Sequence, residues 1–86
     1  MAVTLRYWAA AKEAAGLAEE EFTGAALLSE LVRQAVVRRP DDGRLARVLA
    51  RCAFLVDGDP VGLRPHESVV LSDGAVVEAL PPFAGG

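Results

Sequence analysis

The six residues Pro81-Pro82-Phe83-Ala84-Gly85-Gly86 differ in kind from the rest of the 86-residue chain. Two prolines have no N–H to give to a sheet ladder and hold an extended, polyproline-like path. Two glycines follow, with no side chains at all. At ~3.3–3.6 Å per residue, such a stem reaches roughly 20 Å. A carboxylate on Gly86 is then a slim probe, able to enter a pocket that a β-carbon at Gly85 would block. The chemistry this pattern points to is done to the chain, inside a partner's site. The plain alternative is a frayed terminus of the kind most domains have.

The other reactive side chains offer less. Cys52 opens an apolar run and reads as a small core residue. A single cysteine excludes a disulfide framework, a multi-cysteine zinc site and an iron–sulfur cluster. His66 lies in a loop between Pro65 and Glu67 with no metal-ligand spacing around it. One histidine and one cysteine give no paired nucleophile and base, so the chain does not read as a free-standing enzyme. Arg33, Arg38, Arg39, Arg44, Arg47 and Arg51 make a basic stretch offset by Asp41 and Asp42. Cations there suit the C-terminal end of a helix dipole. Trp8 falls on the Arg6 side of the first strand, away from Val3, Leu5 and Tyr7. Periodicity therefore predicts an exposed aromatic, a residue type enriched at protein interfaces.

The elements that must position the tail follow from hydrophobic period. Val3 to Trp8 alternates with period two and predicts a strand with one buried face. Ala9 to Ala15 predicts a two-turn helix closed by Gly16. Glu19 to Thr23, with Phe22 as its one large apolar residue, predicts a second strand paired to the first. Leu27, Leu28, Leu31, Val32, Ala35 and Val36 recur at three- and four-residue spacing and predict the main helix over residues 27–38. Its start carries no Ser, Thr or Asp cap, and Pro40 stops it. Residues 40–43 read as a turn and residues 45–49 as a short helical turn. Ala53 to Val56, a tight turn at Asp57-Gly58, and Val61 with Leu63 predict a hairpin. After Val69-Val70-Leu71 and a turn at Ser72-Asp73-Gly74, residues 76–80 form the last strand.

One amphipathic helix must cover one face of the sheet these strands make. The order predicts an α+β fold, a β-grasp (ubiquitin-like) mixed sheet with Leu28, Leu31, Val32 and Val36 packed on Leu5, Tyr7, Phe54, Val56, Val77 and Ala79. Residues 1–80 form the domain and residues 81–86 a flexible tail. Composition fits a globular domain: 52% hydrophobic, 24% charged, net charge −3. An acidic chain with one candidate aromatic argues against nucleic acid. No apolar run nears the ~18 residues of a membrane span, and MAVTLRYW is no signal peptide. A cytoplasmic location is expected.

The sequence resembles the MoaD/ThiS-type ubiquitin-like sulfur carriers, most of all the small subunits of molybdopterin synthase. The matching residues are Leu5-Arg6-Tyr7-Trp8-Ala9 with Lys12-Glu13 and Gly16, Ser29-Glu30-Leu31-Val32, Val56-Asp57-Gly58, and Ser72-Asp73-Gly74 through Leu80-Pro81-Pro82-Phe83-Ala84-Gly85-Gly86. The last block is the specific one. The long segment between Val36 and Ala53 favours the molybdopterin branch over the shorter thiamine-type carriers. The resemblance implies that an ATP-dependent, ubiquitin-activating-like adenylyltransferase adenylates Gly86 and that a sulfur donor protein supplies the sulfur of a thiocarboxylate. The charged tail then enters the large subunit of molybdopterin synthase, and sulfur passes to a pterin precursor. The carrier itself binds no cofactor and no metal. Apolar partner contacts are implied at Trp8 and Leu80, with Pro60 as a third member and Pro81, Pro82, Phe83 and Ala84 along the tail. Carriers for thiamine or another thiolation pathway, and ubiquitin-like protein modifiers, have the same tail requirements and remain open alternatives.

Overall fold

The computed structural model describes residues 1–39 and 43–82. The chain runs through β1 (Ala2–Tyr7), α1 (Ala9–Ala15), β2 (Glu19–Thr23), α2 (Leu28–Val37), α3 (Arg44–Leu49), β3 (Ala53–Val56), β4 (Asp59–Pro60), a 3-10 turn (His66–Ser68) and β5 (Val76–Leu80). The strands form one mixed sheet in the order β2-β1-β5-β3-β4. β1 is antiparallel to β2 and parallel to β5, while β3 is antiparallel to β5 and β4. This is the predicted β-grasp arrangement. Its central strand, β5, is the one from which residues 81–86 continue.

Side-chain alternation explains the core. Val3, Leu5 and Tyr7 of β1, Phe22 of β2, Phe54 of β3, and Val77 and Ala79 of β5 are all buried on the face covered by α2. From the helix, Leu28, Leu31 and Ala35 close onto them without exposure. Burying a leucine completely contributes ~1.5–3 kcal/mol, so these residues anchor the fold. Val32, Val36 and Val56, expected inside, are only partly buried and pack at the margin of the core. A helix stripe wider than its contact with the sheet leaves its flanks half in solvent. The missing volume comes from Leu45 and Leu49 of α3 and from Val61, Val69 and Leu71 in the loops.

Three boundaries differ from the prediction. β1 stops at Tyr7, because Trp8 becomes the N-cap of α1. β4 is limited to Asp59–Pro60; Val61 turns inward at 3% exposure and Leu63 is fully exposed. Pro60 sits where an N–H would face away from β3, a place an edge strand allows to proline, and the ladder gains one further bond, from the Val61 N–H to the Phe54 carbonyl at 2.9 Å, before the chain turns off. The β3–β4 turn itself is as expected: Asp57 and Gly58 have φ of 49° and 86°, the pair of positive values a two-residue hairpin loop requires. The third difference is α2, which begins at Leu28. Leu27 offers no acceptor, but Glu30 reaches back, its Oε1 accepting from the Ala26 and Leu27 N–H groups at 2.9 and 3.1 Å. That is the glutamate half of a capping box. Of the predicted 40–43 turn, Pro40, Asp41 and Asp42 lie outside the described residues; Gly43 caps α3.

One charged cluster lies on the covered face. Glu20 pairs with Leu5 in register and its side chain is only 11% exposed. It accepts from the Tyr7 hydroxyl and pairs with Arg38 at 3.0 Å and Arg39 at 2.7 Å. Arg39 also donates to the Ala15 and Ala35 carbonyls at 2.9 and 3.2 Å, and Arg38 stacks on the Phe22 ring at 3.9 Å. Two arginines of the basic stretch therefore fold inward onto the end of β2, and Arg44 approaches Glu13 at 3.9 Å. Burial, then the Glu20 carboxylate, pushes the Tyr7 hydroxyl well above its usual range.

Candidate functional site

Residues directly opposite in a sheet ladder present their side chains to the same face. Arg6 with Glu78, Thr4 with Val76, Ala53 with Leu80, and Leu55 with both Glu78 and Pro60 therefore share the face that α2 leaves uncovered. Glu19 and Glu21 join them from β2. On this outer face Leu55, Leu80 and Val76 are half-buried and Pro60 is exposed. The row through Pro60 and Leu55 meets Glu78 on β5, with Leu80 diagonal to Leu55, so Pro60, Leu55 and Leu80 form an apolar strip bent around one carboxylate. Leu55 is the member that sequence reasoning misses. Its signal is in Ala53-Phe54-Leu55-Val56, where every position is apolar although one face of the strand needs no covering.

Trp8 stands at the rim of the same face, on the predicted Arg6 side, 45% exposed. Its backbone N–H extends the β1–β5 ladder by donating to the Ala79 carbonyl at 3.3 Å. Its own carbonyl accepts from Ala11 at 3.0 Å and so begins α1. Ala9 makes this change of direction with a φ of 50°, a left-handed conformation that costs an alanine roughly 1 kcal/mol. The indole N–H donates to Glu78 Oε2 at 3.0 Å. The rim continues into a shallow groove lined by Trp8, Ala9, Lys12, Glu13, Gly16 and Leu17.

The tail leaves from this place. β5 ends at Leu80, next to the Trp8 backbone; Pro81 is half-buried and Pro82 exposed. Phe83, Ala84, Gly85 and Gly86 lie outside the described residues. Of the expected contact residues, the register places Pro60 and Leu80 on the outer face and the indole bond places Trp8 at its rim, while Pro81 and Pro82 follow Leu80 past the end of β5.

The remaining chemistry is modest. The Cys52 thiol donates to the Val48 carbonyl at 3.3 Å, and burial pushes its pKa up to about 11. A thiol held protonated is a poor nucleophile. His66 packs edge-on against the Phe54 ring at 5.2 Å. Among the described residues no group of three or more His, Cys, Asp or Glu side chains could hold a metal ion, and no helix is long and apolar enough to cross a membrane.

The sequence pattern of the ThiS family matches residues 5–86. The chain belongs to the ThiS family. It is a ubiquitin-like sulfur carrier of the MoaD/ThiS type, and its sheet is the ubiquitin-like sheet of solved relatives. Subunit 1 in the complex of subunits 1 and 2 of the molybdopterin-converting factor from Helicobacter pylori is 27% identical, with all of both chains covered and a TM-score of 0.69. A Pyrococcus furiosus protein described as molybdopterin converting factor subunit 1 is 24% identical, covering 96% of this chain and 99% of its own, with a TM-score of 0.75. Small archaeal modifier protein 1 from Methanosarcina acetivorans reaches a TM-score of 0.81 at 20% identity, over 99% of this chain and 96% of its own. At such identities the last two speak for the fold alone. No curated protein gives a significant match.

Proposed function

We propose that this ThiS-family chain is the small, sulfur-carrying subunit of a molybdopterin synthase, with Gly86 as the reacting residue. An adenylyltransferase of the ubiquitin-activating type joins the Gly86 carboxylate to the α-phosphate of ATP, and pyrophosphate leaves. The carboxylate thereby gains a leaving group. Sulfur at the sulfide level, supplied by a sulfur donor protein, attacks the acyl carbon, the acyl–phosphate bond breaks with departure of AMP, and a thiocarboxylate remains. The tail carries that sulfur into the large synthase subunit, where a pterin precursor accepts it. Catalytic groups belong to the partners. The carrier's contribution is the placement of one atom, for which an error of ~1 Å costs about a hundredfold in rate.

One observation carries the reading: the stem Leu80-Pro81-Pro82 leaves the central strand at the edge of an uncovered apolar strip, beside the Trp8 indole. A surface that docks and a stem that reaches from it belong to the same device. The subunit 1–subunit 2 complex of the Helicobacter pylori factor supplies the precedent for a large partner.

The test is deletion of Gly86, followed by incubation with activating enzyme, ATP and a sulfur source. Intact mass reports thiocarboxylate formation, and a transfer assay with the large subunit and the pterin precursor reports delivery. The deletion shortens the reach by ~3.5 Å and should abolish transfer while leaving the melting temperature unchanged. Normal thiolation and transfer by the deletion variant would refute the proposal. Capture of the wild-type carboxylate on protein lysines, with no oxygen-to-sulfur mass change, would assign the chain to protein modification instead.

A further inference from the structure

The apolar strip surrounds a carboxylate that it does not neutralise. Glu78 lies mid-face on the central strand, with Leu55 opposite it on β3 and Leu80 two residues along β5. Its carboxylate accepts from a neutral donor, the Trp8 indole N–H, at 3.0 Å. Arg6 stands opposite Glu78 in register, but its Nε is engaged with Glu19 at 3.1 Å. Among the strand residues that share the outer face, Arg6 is the one cation beside the carboxylates of Glu19, Glu21 and Glu78, and Arg64 stands at the far end, donating to the Pro60 carbonyl at 3.2 Å.

We infer that the partner surface meeting this face is apolar opposite Leu55, Pro60 and Leu80 and presents one arginine or lysine that pairs with Glu78. The inference rests on the docking role proposed above and adds the chemistry of the partner. Covering the strip excludes water from Glu78 as well, and an ionised carboxylate without a counter-charge is costly to bury. The indole bond fixes the carboxylate beforehand but supplies no charge. A partner cation does both: it balances the anion and sets the register of an otherwise non-directional apolar contact. The surplus of carboxylates on the face favours approach of a basic surface.

The test measures the affinity of the full-length chain for its large synthase subunit at low and high salt, for wild type, Glu78→Gln and Glu78→Lys. Glutamine keeps the shape and still accepts the indole N–H. If Glu78 only holds Trp8 in place, Glu78→Gln binds like wild type. If it pairs with a partner cation, Glu78→Gln should lose about tenfold or more in affinity and Glu78→Lys more still. The wild-type affinity should also fall with salt more steeply than that of Glu78→Gln. Thermal melts of the free variants check that the fold is intact. Wild-type binding that Glu78→Gln matches at both salt levels would overturn this inference and leave the proposed function standing. A wild-type chain that binds no large subunit would overturn both.

Discussion

The two faces of the sheet come from the same strands, yet they are finished differently. On the inner face, Leu5, Phe22, Val77 and Ala79 have no exposure, and the Glu20 carboxylate is held by two arginines and a tyrosine. On the outer face, Leu55, Leu80 and Val76 keep partial exposure, and Glu78 has an indole in place of a cation. Among the described residues every buried polar side-chain atom has found a partner within the chain. Several outward groups have not, and that incompleteness separates a surface that stabilises the domain from one prepared to meet another molecule.

Mutations that strike one face and spare the other test this contrast. The largest effect is expected inside: Leu31→Ala removes a fully buried leucine from α2 and should cost about 2–5 kcal/mol of stability by chemical denaturation. A cost under about half a kcal/mol, the range of an ordinary surface change, would mean that the helix face is misassigned. Next comes the outer face, where Trp8→Glu or Leu80→Glu should weaken binding to the proposed synthase partner by roughly a hundredfold, about 2.7 kcal/mol, with the melting temperature nearly unchanged. Unchanged affinity in both variants would remove the docking strip.

The smallest effect sharpens the contrast through pH. The native state holds the Tyr7 proton above the ordinary pKa of 10, so the unfolded chain releases it first. The stability this contributes is complete below pH 10 and is lost as the pH rises beyond it. Tyr7→Phe should be about 1 kcal/mol less stable at neutral pH, for the lost bond to Glu20. Above pH 10 its denaturation midpoint should fall less than that of wild type. Equal alkaline loss in the two proteins would show that Tyr7 does not titrate with unfolding.

Much of this was legible before the structure, and the exceptions have physical causes. Period two in Val3, Leu5 and Tyr7 announced the inner face, and helical spacing at Leu28 and Leu31 announced what covers it. Glu20 carries no signal of its own within Glu19–Thr23, because its partners, Arg38 and Arg39, lie beyond an entire helix in sequence. Ladder register is likewise a long-range property. Nothing local to Leu55 says that it will lie beside Pro60 on one side and Glu78 on the other. Trp8 could be assigned to a face, but its bond to Glu78 spans 70 positions of sequence. Val32 and Val36 fit the helical stripe; how much of that stripe the sheet can cover depends on tertiary packing.

The placement of β5 has a mechanical consequence. In the function proposed above, a stem threaded into another protein and withdrawn again transmits load to the strand from which it emerges. An edge strand would give way one hydrogen bond at a time, like a zip. β5 is bonded along both sides, parallel to β1 and antiparallel to β3, so a tug along its axis is resisted in shear by two ladders at once. Many bonds must then fail together before the domain opens. For the proposed carrier, the sheet order thus sets two ladders in shear against any pull along β5.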